Sequence, residues 1–206
     1  MGIVLNESSV LTSVEDLIES NESLEKNKKQ QEYVEYIIEH VNNVKTAYQI
    51  HFVPLLDKVG ISDKFSDEEF KEAIRRAEAN IEIHDASKYD DEEFDGYREK
   101  YYPTSKEKAD PEFQTKVKER SEQAWISHYK HNWHHPMYWV DENTGDISDM
   151  NMEAIIEMIC DWIAMSMKYG TDTIEWFETK ATKERLAMSS WTIFYVKEIL
   201  YNVINC

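Results

Sequence analysis

Helix-breaking residues are scarce in this chain, which contains five glycines and four prolines among 206 residues. Between them, apolar residues recur at intervals of three and four, and alternating runs of β-branched residues are almost absent. The first pattern is typical of amphipathic helices and the second of strands, so the sequence predicts an all-α protein. In a helical bundle, a site assembled from distant parts of the chain lies between facing helices.

The chain is expected to form one helical domain with an N-terminal extension, because 206 residues suffice for one substantial core. Residues 1–30 lead into the polar run SNESLEKNKKQQ and are expected to be weakly ordered, with one weak helix and a mobile link. Residues 31–206 form the predicted domain. Within it, the acidic and aromatic segment 89–110 is expected to be a surface excursion that could form a lid.

Five amphipathic helices are predicted in the domain from their apolar stripes and end signals. Ser66 with Glu69 fits a capping box, Asp110 with Pro111 fits a helix start, and Pro136 should end a helix. The predicted helices cover about residues 31–52, 66–84, 111–131, 148–169 and 182–203.

The charge balance restricts the class of partner. The chain has 41 acidic and 23 basic side chains, a formal net charge of −18, which repels nucleic-acid polymers and anionic membranes. The sequence shows no basic segment followed by an apolar run, and no apolar stretch of about 18 residues that could cross a membrane. Two cysteines are too few for a disulfide framework. We therefore expect a cytoplasmic protein, of undetermined oligomeric state.

Six of the seven histidines follow one another along the predicted helices and are accompanied by acids. These residues are His40, His84 with Asp85, His128, His131, His134, His135 and Asp161. Each histidine alone fits a helix end or a satisfied core group. Together, they would bury polar atoms that need partners, and a metal ion would satisfy several at once. Imidazole and carboxylate are the ligands that Zn, Mn, Fe and similar ions bind.

The order of these residues resembles the HD-domain superfamily of metal-dependent phosphohydrolases, whose pattern is a histidine, a His-Asp doublet and a distant aspartate. His40, His84 with Asp85, and Asp161 match the four positions. The resemblance implies an HD-domain-like helical bundle. The pattern is closest to the HD-GYP branch, in which a lysine follows the doublet's aspartate by three residues.

The further HD-GYP positions are occupied by Lys88, His128 and the pair His134 and His135. The segment HHPMYW lacks the glycine-tyrosine-proline element of that branch, so cyclic-dinucleotide specificity is not implied. The motifs HVNNV, HDASK, AWISHYKHNWHHPMYW and EMICDW also resemble a family of phage and bacterial proteins without a known substrate, over roughly residues 30 to 170.

The HD resemblance implies hydrolysis of a phosphate ester, most plausibly a nucleotide or a related small metabolite, by a metal-activated water. One metal would be held by His40, His84, Asp85 and Asp161, and a second by His128, His134 and His135, with Asp85 as a bridge. Lys88 would orient a phosphate oxygen, although a lysine there also suits a helix C-terminus. The divalent ion (Mn, Fe, Mg, Zn or Co) and a ligand role for His131 are left open.

Two other functions fit the same residues. A di-iron oxygenase would use a similar histidine and aspartate set, and a non-catalytic protein could bind a nucleotide or a protein partner through acidic segments such as DDEEFD. The aromatic side chains Trp125, Trp133, Tyr138 and Trp139 could stack on a nucleobase, but packing of the site wall is favoured. Glu157 could orient a ligand histidine, but a solvated helix acid is favoured.

Overall fold

The computed structural model describes residues 7–204, and it describes side chains for 18–182 and 184–204. This part of the chain contains nine α-helices and no β-strand, which confirms the all-α prediction; one isolated antiparallel bridge joins Val140 and Ile147. The helices are α1 (Glu7–His51), α2 (Asp67–Glu82), α3 (Asp91–Tyr101), α4 (Ser105–Ala109), α5 (Pro111–His131), α6 (Met152–Tyr169), α7 (Thr173–Thr179), α8 (Thr182–Leu186) and α9 (Ser190–Glu198).

Shorter elements connect or extend these helices. Three 3₁₀ helices cover Val53–Asp57, Ala86–Tyr89 and Pro136–Trp139, and α9 continues into the π-helical turn Ile199–Val203. None of the helices in the described part of the chain is both long and apolar enough to cross a lipid bilayer.

Helix α1 begins much earlier than expected, and the predicted mobile link is helical. The polar run contains no glycine or proline, and its Lys, Glu and Gln residues favour helix. Side chains also pair along it: Lys29 Nζ donates to Glu32 at 2.6 Å, and Gln31 Nε2 donates to Glu35 at 2.9 Å. Residues 1–6 of the predicted extension lie outside the described residues.

Several predicted helix ends were wrong because other side chains provide the caps. Helix α6 starts at Met152, four residues late, where Asn151 accepts a hydrogen bond from the Ala154 N–H at 2.9 Å. The predicted helix 182–203 is divided, because Ser189 caps α9 by accepting from the Thr192 N–H at 3.0 Å. The Ser66 side chain makes no capping bond to α2.

The described chain forms two compact units. Unit 1 comprises the described residues up to Tyr36 together with Asp91–Ala124. It includes most of the segment 89–110, which contributes buried side chains and is more than a surface excursion. The fully buried Arg98 donates to both carboxylate oxygens of Glu107, at 2.8 and 2.6 Å. A Cβ added at Gly96 would lie 2.8 Å from the Arg120 carbonyl oxygen, so α3 and α5 approach closely at this glycine.

Unit 2 comprises Ile37–Asp90 and the described residues from Trp125 onward. Its core lies where α2 packs along α6, with apolar side chains of α9 beside them. Every residue from 154 to 160 is buried, so α6 is a central helix. Glu157 is the one charged residue in this buried stretch, and Asp161 follows it one turn later with a side chain only 15% exposed.

Candidate metal centre

A sharp turn after α2 places the His-Asp doublet inside unit 2. The helix ends at Glu82, and Asp85 adopts a left-handed backbone conformation, with φ 58° and ψ 22°. Asp85 has the only positive φ of any non-glycine residue in the described part of the chain. Aspartate tolerates this region better than most residues, but the conformation still costs on the order of 1–3 kcal/mol. The side chains of His84 and Asp85 are 3% and 1% exposed.

One oxygen of Asp85 is surrounded by three nitrogen atoms. Its Oδ2 atom lies 3.3 Å from His40 Nε2, 3.5 Å from His84 Nε2 and 2.5 Å from Lys88 Nζ. Helix α1 supplies His40, and the 3₁₀ helix after the doublet supplies Lys88. The same Nε2 atom of His40 lies 3.2 Å from Asp161 Oδ1 on α6. All four residues predicted to hold the first metal are thus adjacent.

The other oxygen of Asp85 faces the histidines that end and follow α5. Oδ1 lies 3.2 Å from His128 Nε2 and 3.7 Å from His134 Nε2. The ring centroid of His135 is 4.2 Å from that of His134 and 4.7 Å from that of His128. The residues predicted to hold a second metal therefore lie together around Oδ1, whereas His40 lies near Oδ2.

Glu157 is a buried member of the cluster, so its assignment as a solvated acid was wrong. Its Oε1 atom lies 2.9 Å from His84 Nδ1 and 3.0 Å from His134 Nδ1, and its Oε2 atom accepts from Trp133 Nε1 at 3.0 Å. Glu157 forms a hydrogen bond with His84 Nδ1, and its short contact with His134 Nδ1 favours a proton on Nδ1 in that ring too, although the contact does not meet hydrogen-bond geometry. Each Nε2 atom then carries a lone pair close to Asp85. The signal in the sequence was its position one turn before Asp161 on an otherwise apolar helix.

Several ring nitrogens in the cluster are buried without a hydrogen bond, namely Nε2 of His84, His134 and His135. Buried polar atoms without partners are rare and costly, because water is excluded and nothing replaces it. Three sets of ligand atoms each lie within 4.8 Å of one another. These sets are His40, His84 and Asp85; Asp85, His128, His134 and His135; and His84, His134 and Glu157. The residues present thus fit a divalent metal ion.

The charges within the cluster set the protonation of its members. Burial opposes a charge on His40, but hydrogen bonds and charges from Asp161 and Asp85 raise its pKa to about 9. Burial also opposes ionisation of Asp85 and Asp161, but the surrounding cations and imidazoles hold both pKa values below the usual range. Burial lowers the pKa of His135 and of His134. Ionised carboxylates and neutral imidazoles are the forms that bind metals.

The remaining candidates lie apart from these contacts or have a packing role. His131 is exposed, with Nδ1 2.9 Å from the Ser127 carbonyl oxygen, and it belongs to none of the three ligand sets. Trp133 and Trp139 pack against the core, and Trp139 Nε1 donates to the Trp133 carbonyl at 2.7 Å. Trp125 stays 37% exposed, with its ring centroid 5.0 Å from that of His135.

Comparison with known protein families gives a match over most of the chain. Residues 29–205 match the model described as "Family of unknown function (DUF5662)". Neither the search of curated proteins nor the search of solved structures returned a match.

Proposed function

The chain belongs to DUF5662, a family of unknown function, and we propose that it is a metal-dependent phosphohydrolase that acts on a small phosphate ester. The observation that carries this proposal is the convergence of imidazoles on both oxygens of Asp85, with three buried Nε2 atoms that make no hydrogen bond. This arrangement agrees with the HD-domain pattern to which the sequence is similar.

The chain supplies the positioning and the local charge for this reaction. Asp85 can serve two ions because its oxygens face different sets of histidines. Bound divalent ions would lower the pKa of water and neutralise charge on phosphoryl oxygens. Lys88, with a side chain 14% exposed, provides a cation beside Asp85 that can donate to a phosphate oxygen. A local cation matters here because the whole chain carries a net charge of −18.

The test combines metal content with phosphate release. The full chain, purified without a metal-chelating column, would be assayed by elemental analysis and with a panel of phosphate esters. Asp85→Asn is the informative variant, because asparagine also tolerates the left-handed conformation but is a poorer ligand. His131→Ala is the matched control, since this histidine is exposed and outside the ligand sets.

We expect a bound divalent metal and metal-dependent phosphate release in the wild type and in the His131→Ala variant, with both lost in Asp85→Asn. Full metal content and activity in Asp85→Asn would refute the assignment. Iron-dependent oxygen consumption without phosphate release would replace the hydrolase by an oxygenase, and tight ligand binding without turnover would identify a binding protein.

A further inference from the structure

A cleft of about 390 Å³ opens beside the candidate metal centre, with His135 and Asp161 in its wall. Its volume lies in the range of small-molecule pockets. Both wall residues were predicted as metal ligands, so a molecule in the cleft would touch the proposed centre. The cleft belongs entirely to unit 2, because its lining comes from residues 125–184.

Aromatic side chains dominate this cleft. Trp162 and Trp176 pack together with ring centroids 5.2 Å apart, and Trp162 also stacks on Phe177 at 5.5 Å, which gives a rigid wall. Trp125 and Tyr169 are 37% and 61% exposed, so both leave part of their ring surface accessible to a ligand. Flat rings bind such surfaces by stacking, and the geometry tolerates many ring types.

The charges of the lining separate the two ends of a substrate. The described residues that line the cleft include no lysine or arginine, whereas Asp161 and Glu184 are acidic. A phosphate group is therefore directed towards the metal centre and Lys88, and the cleft receives an uncharged or donor-bearing group. Trp125 is held edge-on to His135, with ring planes at 73°, so a ring stacked on Trp125 would lie next to the centre.

We propose that this cleft binds a flat aromatic ring in the alcohol part of the substrate, so that the enzyme hydrolyses phosphate esters that carry a nucleobase or an aryl group. The inference rests on the proposed phosphohydrolase activity and adds the part of the substrate that is recognised. Trp125 and Tyr169 are the residues that select the ring, and Glu184 can accept from a ring amino group.

Binding is measured with phosphonates, whose carbon–phosphorus bond is not hydrolysed. Isothermal titration calorimetry on the full chain as purified would compare three probes: the phosphonate analogue of adenosine monophosphate, benzylphosphonate, and the phosphonate analogue of ribose 5-phosphate. We expect both ring-bearing probes to bind about tenfold more tightly than the ribose probe, as one stacked ring typically provides. Trp125→Ala should remove this advantage, so that the three probes bind with similar affinities.

Tyr169→Ala is a second variant in the same cleft. Because the Tyr169 side chain is mostly exposed, we expect this substitution to leave folding intact. Trp191→Ala is the matched control, because Trp191 is 39% exposed, close to the value for Trp125, and lines a separate groove with Phe65 and Tyr195. The control should retain the ring preference. A stronger affinity for the adenine probe than for benzylphosphonate, lost in Glu184→Ala, would identify a nucleobase, and equal affinities an aryl ester.

The cleft assignment is overturned if the ribose probe binds as tightly as the ring-bearing probes, or if neither cleft variant reduces the ring preference. If esters with and without a ring released phosphate at equal rates and the probes showed no binding preference, the phosphohydrolase proposal would stand and the ring-binding role of the cleft would be rejected. If the ring preference depended on Trp125 but no ester released phosphate, the ring-binding role of the cleft would stand and the phosphohydrolase proposal would be rejected.

Discussion

Replacing Glu157 by glutamine is expected to destabilise the metal-free protein by about 3 kcal/mol and to weaken metal binding by roughly 10- to 100-fold. Glu157 receives contacts from His84, His134 and Trp133 on its two oxygens. Glutamine keeps one acceptor oxygen and turns the other into a donor, so at least one buried N–H loses its partner. Each such loss costs about 1–3 kcal/mol.

The pKa of Glu157 gives a similar magnitude. Burial raises this pKa, but hydrogen bonds from His134 and His84 lower it from 4.5 to about 2. At about 1.36 kcal/mol per pH unit, the difference corresponds to roughly 3 kcal/mol near neutral pH. Because the pKa in the folded protein is the lower one, this stabilisation is present above pH 4.5 and is lost as the pH falls towards 2.

Urea unfolding in EDTA, followed by tryptophan fluorescence, measures the stability, and competition with a chromophoric chelator measures the metal affinity. Glu153→Gln is the matched control on the same helix, because Glu153 pairs with the half-exposed Arg76 at 3.3 Å, and such pairs contribute at most about 1 kcal/mol. If Glu157→Gln and Glu153→Gln gave the same stability and the same metal affinity, the orienting role of Glu157 would be refuted.

Three further outcomes are expected. Lys88→Met should lower phosphate release about 100-fold while the bound metal is retained, since the ammonium acts on a phosphate oxygen; a parallel loss of metal by elemental analysis would contradict this role. The metal-free protein should lose stability as the pH rises from 6.5 to about 9. The pKa of His40 is raised from 6.5 to about 9 on folding, so protonated His40 stabilises the folded protein fully below pH 6.5 and the stabilisation is lost as the pH rises to about 9. The free energy of unfolding in urea should therefore decrease across this pH range, and His40→Gln should remove the decrease. Gly96→Ala should cost about 1–3 kcal/mol, because its Cβ would lie 2.8 Å from the Arg120 carbonyl oxygen; an unchanged melting temperature would disprove the close approach.

The sequence predicted the helical class and the side chains that converge, since apolar periodicity determines which face of a helix is buried. His40, His84 and Asp161 each lie on or next to such a face, so their convergence followed from packing. Helix ends were predicted less well, because several side chains near an end can cap it. Asn151 caps α6 and starts it four residues after the predicted position, and Ser189 divides the predicted last helix.

The surroundings of the candidate site depended on tertiary contacts that no local pattern contains. Glu157 looked like a solvated acid because glutamate usually is one, and its burial depends on two histidines, one in the turn after α2 and one in the loop after α5. The cleft was likewise missed, since Trp162 and Trp176 come from different helices. The burial of Glu157 and the shape of the cleft both depend on contacts between residues that are distant in the sequence, which composition and local pattern do not reveal.

The left-handed backbone at Asp85 affects how variation among relatives should be interpreted. Position 85 is constrained twice, by a conformation that excludes most side chains and by the carboxylate that two groups of histidines share. A relative that had lost its chemistry would still retain aspartate, asparagine or glycine there, because the turn demands it. Loss of activity in a lineage should therefore be visible first at positions 40 and 161, whose helical backbones accept almost any residue.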